Sequence, residues 1–176
     1  GSLMEDKHFN SGTILDFNHQ LLHQGIYIKK GGARVYYIEK GKEHTITFVF
    51  DDGYLPVRST LNFPDTNIIV SFIEDTDVIY IPQSRIIEIL SGASPESQVK
   101  VLKFVNAMIA QVTRELESRL FHLLHSTATD RYNWAINRYP RLIQSATISQ
   151  IASFLGLSRE TVTRIRSGHY KQRGSI

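Results

Sequence analysis

The strongest constraint on the fold lies near the C-terminus, in residues 146–166, which read ATISQIASFLGLSRETVTRIR. The apolar residues of the first half recur at helical spacing and predict a helix with one buried face: Ile148, Ile151, Ala152 and Leu155. Thr147 and Gln150 form a T-x-x-Q capping box at its start. Gly156 follows where a helix end favours a residue that tolerates positive φ. We therefore predict that this helix ends in a tight turn.

A second short helix follows, with Ser158 as its N-cap. Its apolar inner face is Thr161, Val162 and Ile165, and its outward residues are Arg159, Glu160, Thr163, Arg164 and Arg166. Counted from Ile148, the small Ala152 is fifth, Gly156 ninth, Val162 fifteenth and Ile165 eighteenth. These spacings are typical of a helix-turn-helix, and the alternative is an ordinary helical hairpin.

The outer face of the second helix carries side chains that suit DNA. An arginine can bond guanine bidentately, and a glutamate can accept a hydrogen bond from cytosine. Charge is concentrated in the same part of the chain: residues 129–176 hold eight basic and two acidic residues, a net +6, against +3 for the whole sequence. This imbalance favours contact with phosphates.

The N-terminal half has the pattern of a β-rich domain. From residue 9 to about 81, short apolar runs alternate with glycine turns, and residues 45–50 alternate hydroxyl and apolar side chains as a half-buried strand does. Even strand spacing with turns predicts a small barrel or jelly roll, which could hold one small ligand.

A long helix is predicted next. Ser94 caps it, Pro95 takes its first position, and no further glycine or proline occurs until Pro140. Apolar residues at alternating steps of three and four form a seam interrupted at Arg119: Leu102, Val105, Ile109, Val112, Leu116 and Leu123. About 30 residues give roughly 45 Å of helix. We interpret the seam as a homodimer contact, and the alternative is a solitary core helix.

The domain organisation follows from these elements. We predict an α+β chain with a sensor barrel over residues 1–91, a dimerisation helix over 92–128 and a helix-turn-helix domain over 129–176, which opens with a helix over 130–139 capped by Thr129.

Catalytic and metal-binding patterns are not found. The sequence has no cysteine and no G-x-S-x-G, H-E-x-x-H or phosphate-loop motif. The histidine pairs His19/His23 and His122/His125 lack the further ligands that a metal site needs. Because no catalytic motif occurs, we expect that the protein is not an enzyme. No apolar run is long enough to span a membrane and cysteine is absent, so we expect a cytoplasmic protein.

Three segments resemble the cyclic AMP receptor protein/FNR (Crp/Fnr) family of transcription regulators. GIYIKKGGARVYYI at 25–38 is similar to paired strands of its cyclic-nucleotide-binding barrel, DRYNWAINRYP at 130–140 to the approach to its DNA-binding domain, and IASFLGLSRETVTRI at 151–165 to its helix-turn-helix. The likeness extends from about residue 9 to 166. It implies that Arg159, Glu160 and Arg164 read bases, and that Ser158 and Thr163 contact phosphates.

The nucleotide cassette of that family is altered here. The family carries a Gly-Glu pair for the ribose and an arginine for the cyclic phosphate, whereas Arg58 stands where the glutamate is expected and the turn at 64–67 has no arginine. We therefore expect an effector other than cyclic AMP, of unknown identity. Arg58, Ser59 and Thr60 are candidate anion-binding residues, and the alternative is a surface arginine at a strand end.

The sequence thus predicts a homodimeric, sequence-specific DNA-binding regulator with double-stranded DNA as partner and RNA polymerase as a candidate partner. The modest total charge keeps open a different class, a ligand-binding barrel whose helical C-terminus binds a protein.

Overall fold

The computed structural model of the chain describes residues 4–16, 19, 22, 25–55, 68–92 and 94–168. The strands are β1 Glu5–Phe9, β2 Ile14–Leu15, β3 Gly25–Lys30, β4 Gly32–Glu39, β5 Lys42–Phe50, β6 Gly53–Leu55, β7 Ile68–Phe72 and β8 Thr76–Ile81. The helices are α1 Gln83–Gly92, α2 Pro95–His125, α3 Ala128–Arg138, α4 Leu142–Ser145, α5 Ile148–Leu155 and α6 Arg159–Arg166.

The strands form two antiparallel four-stranded sheets, in the orders β1-β8-β3-β6 and β2-β7-β4-β5. Their inward side chains share one apolar core, in which Ile28, Ala33 and Val35 are fully buried. Two antiparallel sheets together with the helices confirm the mixed strand-and-helix architecture that the sequence predicts.

A second apolar core joins the barrel to the C-terminal helices. Phe48 on β5 packs edge-on against Phe154 on α5, with ring centroids 5.3 Å apart. The same cluster buries Ala135 of α3, Leu142 of α4 and Val162 of α6. The C-terminal helices therefore lie against the β5 side of the second sheet.

The long helix α2 has the predicted start, because the Ser94 side chain accepts the backbone N–H of Ser97 and Pro95 occupies the first turn. Its predicted seam divides between two surfaces. Val112 is buried and Leu116 packs on the barrel core. Leu102 and Ile109, in contrast, are 53 % and 43 % exposed.

Helix α3 begins earlier than predicted. Thr127, not Thr129, is its N-cap, and its side chain accepts the backbone N–H of Asp130. The helix consequently runs over Ala128–Arg138. Among the residues described, no helix has the length and apolarity that crossing a membrane requires.

Candidate nucleic-acid interface

The local geometry of α5 is the one its sequence predicts. Thr147 Oγ1 accepts the N–H of Gln150 at 3.2 Å, and the Gln150 side-chain oxygen accepts the N–H of Thr147 at 3.0 Å. The helix ends at Gly156, which has φ 63° and ψ 39°, and whose N–H donates to the carbonyl of Ala152. The capping box and the glycine thus fix both ends of α5.

Helix α6 begins at a side-chain cap as well. Ser158 Oγ accepts the N–H of Thr161 at 3.1 Å. On the inner face Val162 is fully buried and Ile165 is half-buried against the C-terminal core. The remaining predicted residues are all exposed: Ser158, Arg159, Glu160, Thr163, Arg164 and Arg166. We call the exposed side of these six residues the α6 face.

The N-terminus of α6 holds a negative charge. The backbone N–H of Glu160 itself and the Ser158 hydroxyl lower the pKa of the Glu160 carboxyl below its ordinary value, and the charges of Arg159 and Arg164 act in the same direction. The α6 face therefore presents three guanidinium groups and one ionised carboxylate.

Two arginines outside α5 and α6 hold α5 in place. Arg119 Nε of α2 donates to the carbonyl of Phe154 at 2.9 Å, and Arg131 Nη1 of α3 donates to the carbonyl of Leu155 at 3.0 Å. Both acceptors are last-turn carbonyls that lack partners within the helix. Burial lowers the pKa of Arg119, and its guanidinium lies 4.9 Å from the centre of the Phe154 ring. Sequence reasoning treated Arg119 only as a break in the seam.

Further contacts tie the C-terminal helices to the barrel. Arg141 donates to both carboxylate oxygens of Asp51, at 2.8 and 3.1 Å, and to the carbonyl of Gly31 at 2.7 Å. Ser145 bonds to Glu74. These residues are more than 65 positions apart in the chain, and no sequence motif marked them.

Other predicted site residues are not covered by the structure. Arg58, Ser59 and Thr60 lie outside the described residues, as does the turn at 64–67. His23 also lies outside them. His122 and His125 are described, and within the described part of the chain no group of three or more His, Cys, Asp or Glu side chains could hold a metal ion.

The chain superposes over more than nine tenths of its length on solved structures of Crp/Fnr transcriptional regulators. FixK2 from Bradyrhizobium japonicum superposes with a TM-score of 0.73 at 18 % identity, over 95 % of this chain and 84 % of that one. CLP from Xanthomonas campestris, a c-di-GMP-responsive global regulator, superposes with a TM-score of 0.69 at 12 % identity, over 98 % and 91 %.

A Crp/Fnr transcriptional regulator from Thermus thermophilus superposes with a TM-score of 0.66 at 17 % identity, over 93 % of this chain and 84 % of that one. The sequence itself matches no protein-family model and no curated protein. The predicted resemblance to the Crp/Fnr family is therefore confirmed at the level of the fold.

Proposed function

We propose that the chain is a homodimeric, sequence-specific DNA-binding transcription regulator of the Crp/Fnr type. The observation that carries this proposal is the two-sided character of α6. Val162 is fully buried on one side, while Arg159 and Arg164 are exposed on the other. A helix fixed by its apolar side, with arginines turned outward, can enter a major groove without rearranging its own packing.

The residues of the α6 face have distinct proposed roles. Arg159, Glu160 and Arg164 read base edges, where each well-formed arginine contact discriminates by about 1–3 kcal/mol. Ser158, Thr163 and Arg166 contact phosphates, which orient the helix in the groove without reading sequence.

The exposed side of α2 supports a homodimer. It carries large apolar side chains that are between 43 % and 69 % exposed in the single chain: Val99, Leu102, Ile109, Leu120, Phe121 and Leu124. Helices paired along this side would relate two subunits by a two-fold axis, and their half-sites would lie about 34 Å apart. The proposed units are a barrel over 1–91, a dimer helix over 92–128 and a DNA-binding domain over 129–176.

The barrel is the proposed sensor for a small-molecule effector. This effector is not cyclic AMP, because the altered cassette around Arg58 lacks the residues that the family uses for that ligand. RNA polymerase is a further proposed partner, and the cytoplasm is the proposed location.

The proposal is tested by selecting an operator from random duplexes and measuring its affinity by fluorescence anisotropy. Arg159→Ala/Arg164→Ala should weaken operator binding by at least 100-fold, since each arginine contributes about tenfold or more. Lys103→Ala/Arg114→Ala removes the same charge from exposed positions on α2 and should leave affinity within threefold. Wild-type operator affinity in the α6 variant would overturn the assignment.

The salt dependence of binding to random duplex DNA distinguishes the proposed function from the alternative, in which the C-terminus binds a protein partner. Neutralised phosphates release counterions, so a DNA-binding protein loses affinity for random duplex steeply between 50 and 200 mM salt. Absence of any salt-dependent binding to random duplex would favour the alternative.

A further inference from the structure

A cavity of about 380 Å³ lies where the barrel, α2 and the segment between α3 and α4 meet. We call it the junction cavity. Its lining comes from three stretches: residues 47–51, 53 and 54 of the barrel, 111, 112, 115 and 116 of α2, and 138–141 before α4. It borders the barrel core through Val49 and Leu116, whereas Ile28 and Val35 lie deeper in that core and do not line it. Its size falls within the range of small-molecule sites in proteins.

Four aromatic side chains line the junction cavity. Phe50 and Tyr139 contact each other with ring centroids 6.0 Å apart and planes tilted by 43°, and Phe48 and Tyr54 also line it. Val112 lies on the α2 side. Burial and the nearby Glu115 carboxylate raise the pKa of Tyr139, so its ring is uncharged at neutral pH. Such walls favour a flat apolar group, because aromatic pairs add to the energy of buried area.

The charged groups of the cavity come in two opposite pairs. Arg138 of α3 bonds to Glu115 of α2 through Nε and Nη2, and Tyr139 donates its hydroxyl to the same carboxylate at 3.2 Å. Arg141 bonds to Asp51 and also lies 3.4 Å from a carboxylate oxygen of Glu74, which is outside the lining. The four charged side chains are between 25 % and 47 % exposed, so solvent reaches them. Among the described residues that line the cavity, two guanidinium groups thus balance two carboxylates.

A balanced lining restricts the charge of the ligand. A bound cation that pairs with one of these carboxylates weakens the bond between that carboxylate and its guanidinium. A bound anion that pairs with a guanidinium weakens the same kind of bond from the other side. A ligand that carries both charges can place its ammonium on one carboxylate and its own carboxylate on a guanidinium, so that no charge of the lining is left without a partner. We propose that the junction cavity binds a zwitterionic aromatic small molecule of the amino-acid type, with its ring against the edges of Phe50 and Tyr139.

The position of the cavity connects such a ligand with regulation. One wall belongs to the barrel and another to the segment that leads into α4, so the ligand binds best when these parts are arranged as described here. A ligand with this preference shifts the population toward that arrangement and so sets the position of the α6 face relative to the barrel. This consequence rests on the proposed function, whereas the binding site itself does not.

Three probes that share one ring test the charge rule: L-phenylalanine carries both charges, phenethylamine only the positive one and 3-phenylpropionate only the negative one. Isothermal titration of the full chain should give L-phenylalanine at least tenfold tighter binding than either of the others. Equal or tighter binding of a singly charged probe, or no heat from L-phenylalanine up to its solubility limit, would overturn the proposal. This comparison uses the unmodified chain and is independent of any variant's folding.

A pair of matched variants locates the site. Glu115→Gln removes one carboxylate of the lining and should weaken L-phenylalanine binding at least tenfold. Glu117→Gln makes the same change at an exposed position on α2 outside the lining and should bind as the wild type does. Undiminished binding by Glu115→Gln would place the ligand elsewhere. Operator binding without L-phenylalanine binding would defeat this inference alone, and the reverse result would defeat only the proposed function.

Discussion

Ser153 on α5 accepts the backbone N–H of Thr45 at 2.8 Å and donates its own hydroxyl to the carbonyl of Glu43 at 3.1 Å. Strand β5 is the outermost strand of its sheet, so the N–H of Thr45 has no neighbouring strand to bond. An unpaired strand edge invites association with other chains. One serine therefore satisfies two backbone groups of this edge and adds to the contacts that fix the C-terminal helices to the barrel.

Loss of this serine should loosen that attachment. Ser153→Ala leaves the N–H of the buried Thr45 without its acceptor, which costs about 1–3 kcal/mol. We expect a lower free energy of unfolding in urea and faster hydrogen exchange at the Thr45 amide. Ser149→Ala changes an exposed residue of the same helix and should leave both measurements unaltered. Wild-type exchange at Thr45 in the Ser153 variant would contradict the role given to this contact.

The sequence was sufficient for the parts of the fold that local chemistry determines. The bounds of α5 and α6 follow from Thr147, Gln150, Gly156 and Ser158, all of which act on neighbours within four or five residues. Strand β1 escaped prediction because its residues, apart from Phe9, are exposed and mostly polar. The strand forms because it pairs with β8, where Glu5 lies opposite Tyr80 at the far end of the barrel sequence. Its own residues therefore do not indicate it.

Contacts between distant residues could not be predicted in the same way. Nothing near Arg119, Arg131 or Arg141 in the sequence indicates that each will bond a carbonyl or carboxylate more than 20 positions away. Periodicity along α2 predicted an apolar helix but not which side faces the barrel. Val112 is buried and Ile109 exposed, although both belong to the same predicted seam.

Gly156 should be intolerant of a side chain. Its φ of 63° lies in the left-handed region, where an L-residue costs about 1–2 kcal/mol. An added Cβ would also lie 3.2 Å from the Leu123 side chain. We expect Gly156→Ala to lower the free energy of unfolding by about 1–2 kcal/mol in urea titrations.

Gly92 is the matched control for that substitution. It closes α1, has no atom within 4 Å of an added Cβ and does not need a positive φ. Gly92→Ala should therefore be neutral or slightly stabilising, by up to about 1 kcal/mol. Equal losses at both glycines would show that backbone conformation does not set the cost at Gly156.

Asp51 should contribute to the fall of the free energy of unfolding at low pH, which we call the acid limb. Burial by itself would raise the pKa of Asp51, but hydrogen bonds from Arg141 and from the Gly31 N–H outweigh it and hold that pKa below its ordinary value. A carboxyl with a lowered folded-state pKa stabilises the fold above its unfolded pKa of about 3.9, and this stabilisation is lost as the pH falls through the folded value.

Urea unfolding between about pH 2.5 and pH 7 measures this limb. Asp51→Asn should flatten the loss of stability below about pH 4, while at pH 7 it costs less than about 1 kcal/mol because the ion pair is partly exposed. Arg141→Gln should flatten the same limb, since it removes the main counter-charge. An unchanged acid slope in Asp51→Asn would show that this carboxyl does not contribute to the acid limb.

The exposed side of α2 should set the oligomeric state. Ile109 and Leu120 are 43 % and 55 % exposed in the single chain, and the proposed dimer buries both against their counterparts. Ile109→Glu/Leu120→Glu would place like charges at the centre of that contact, so we expect the dissociation constant from sedimentation to rise at least 100-fold. Lys100→Glu, a charge reversal at an exposed position about a third of a turn from the centre of that side, should leave the dimer intact. Circular dichroism should remain that of the wild type in both variants, because substitutions at exposed positions alter monomer stability by only about 0.5 kcal/mol. A double variant that still sediments as a dimer would place the subunit contact on another surface.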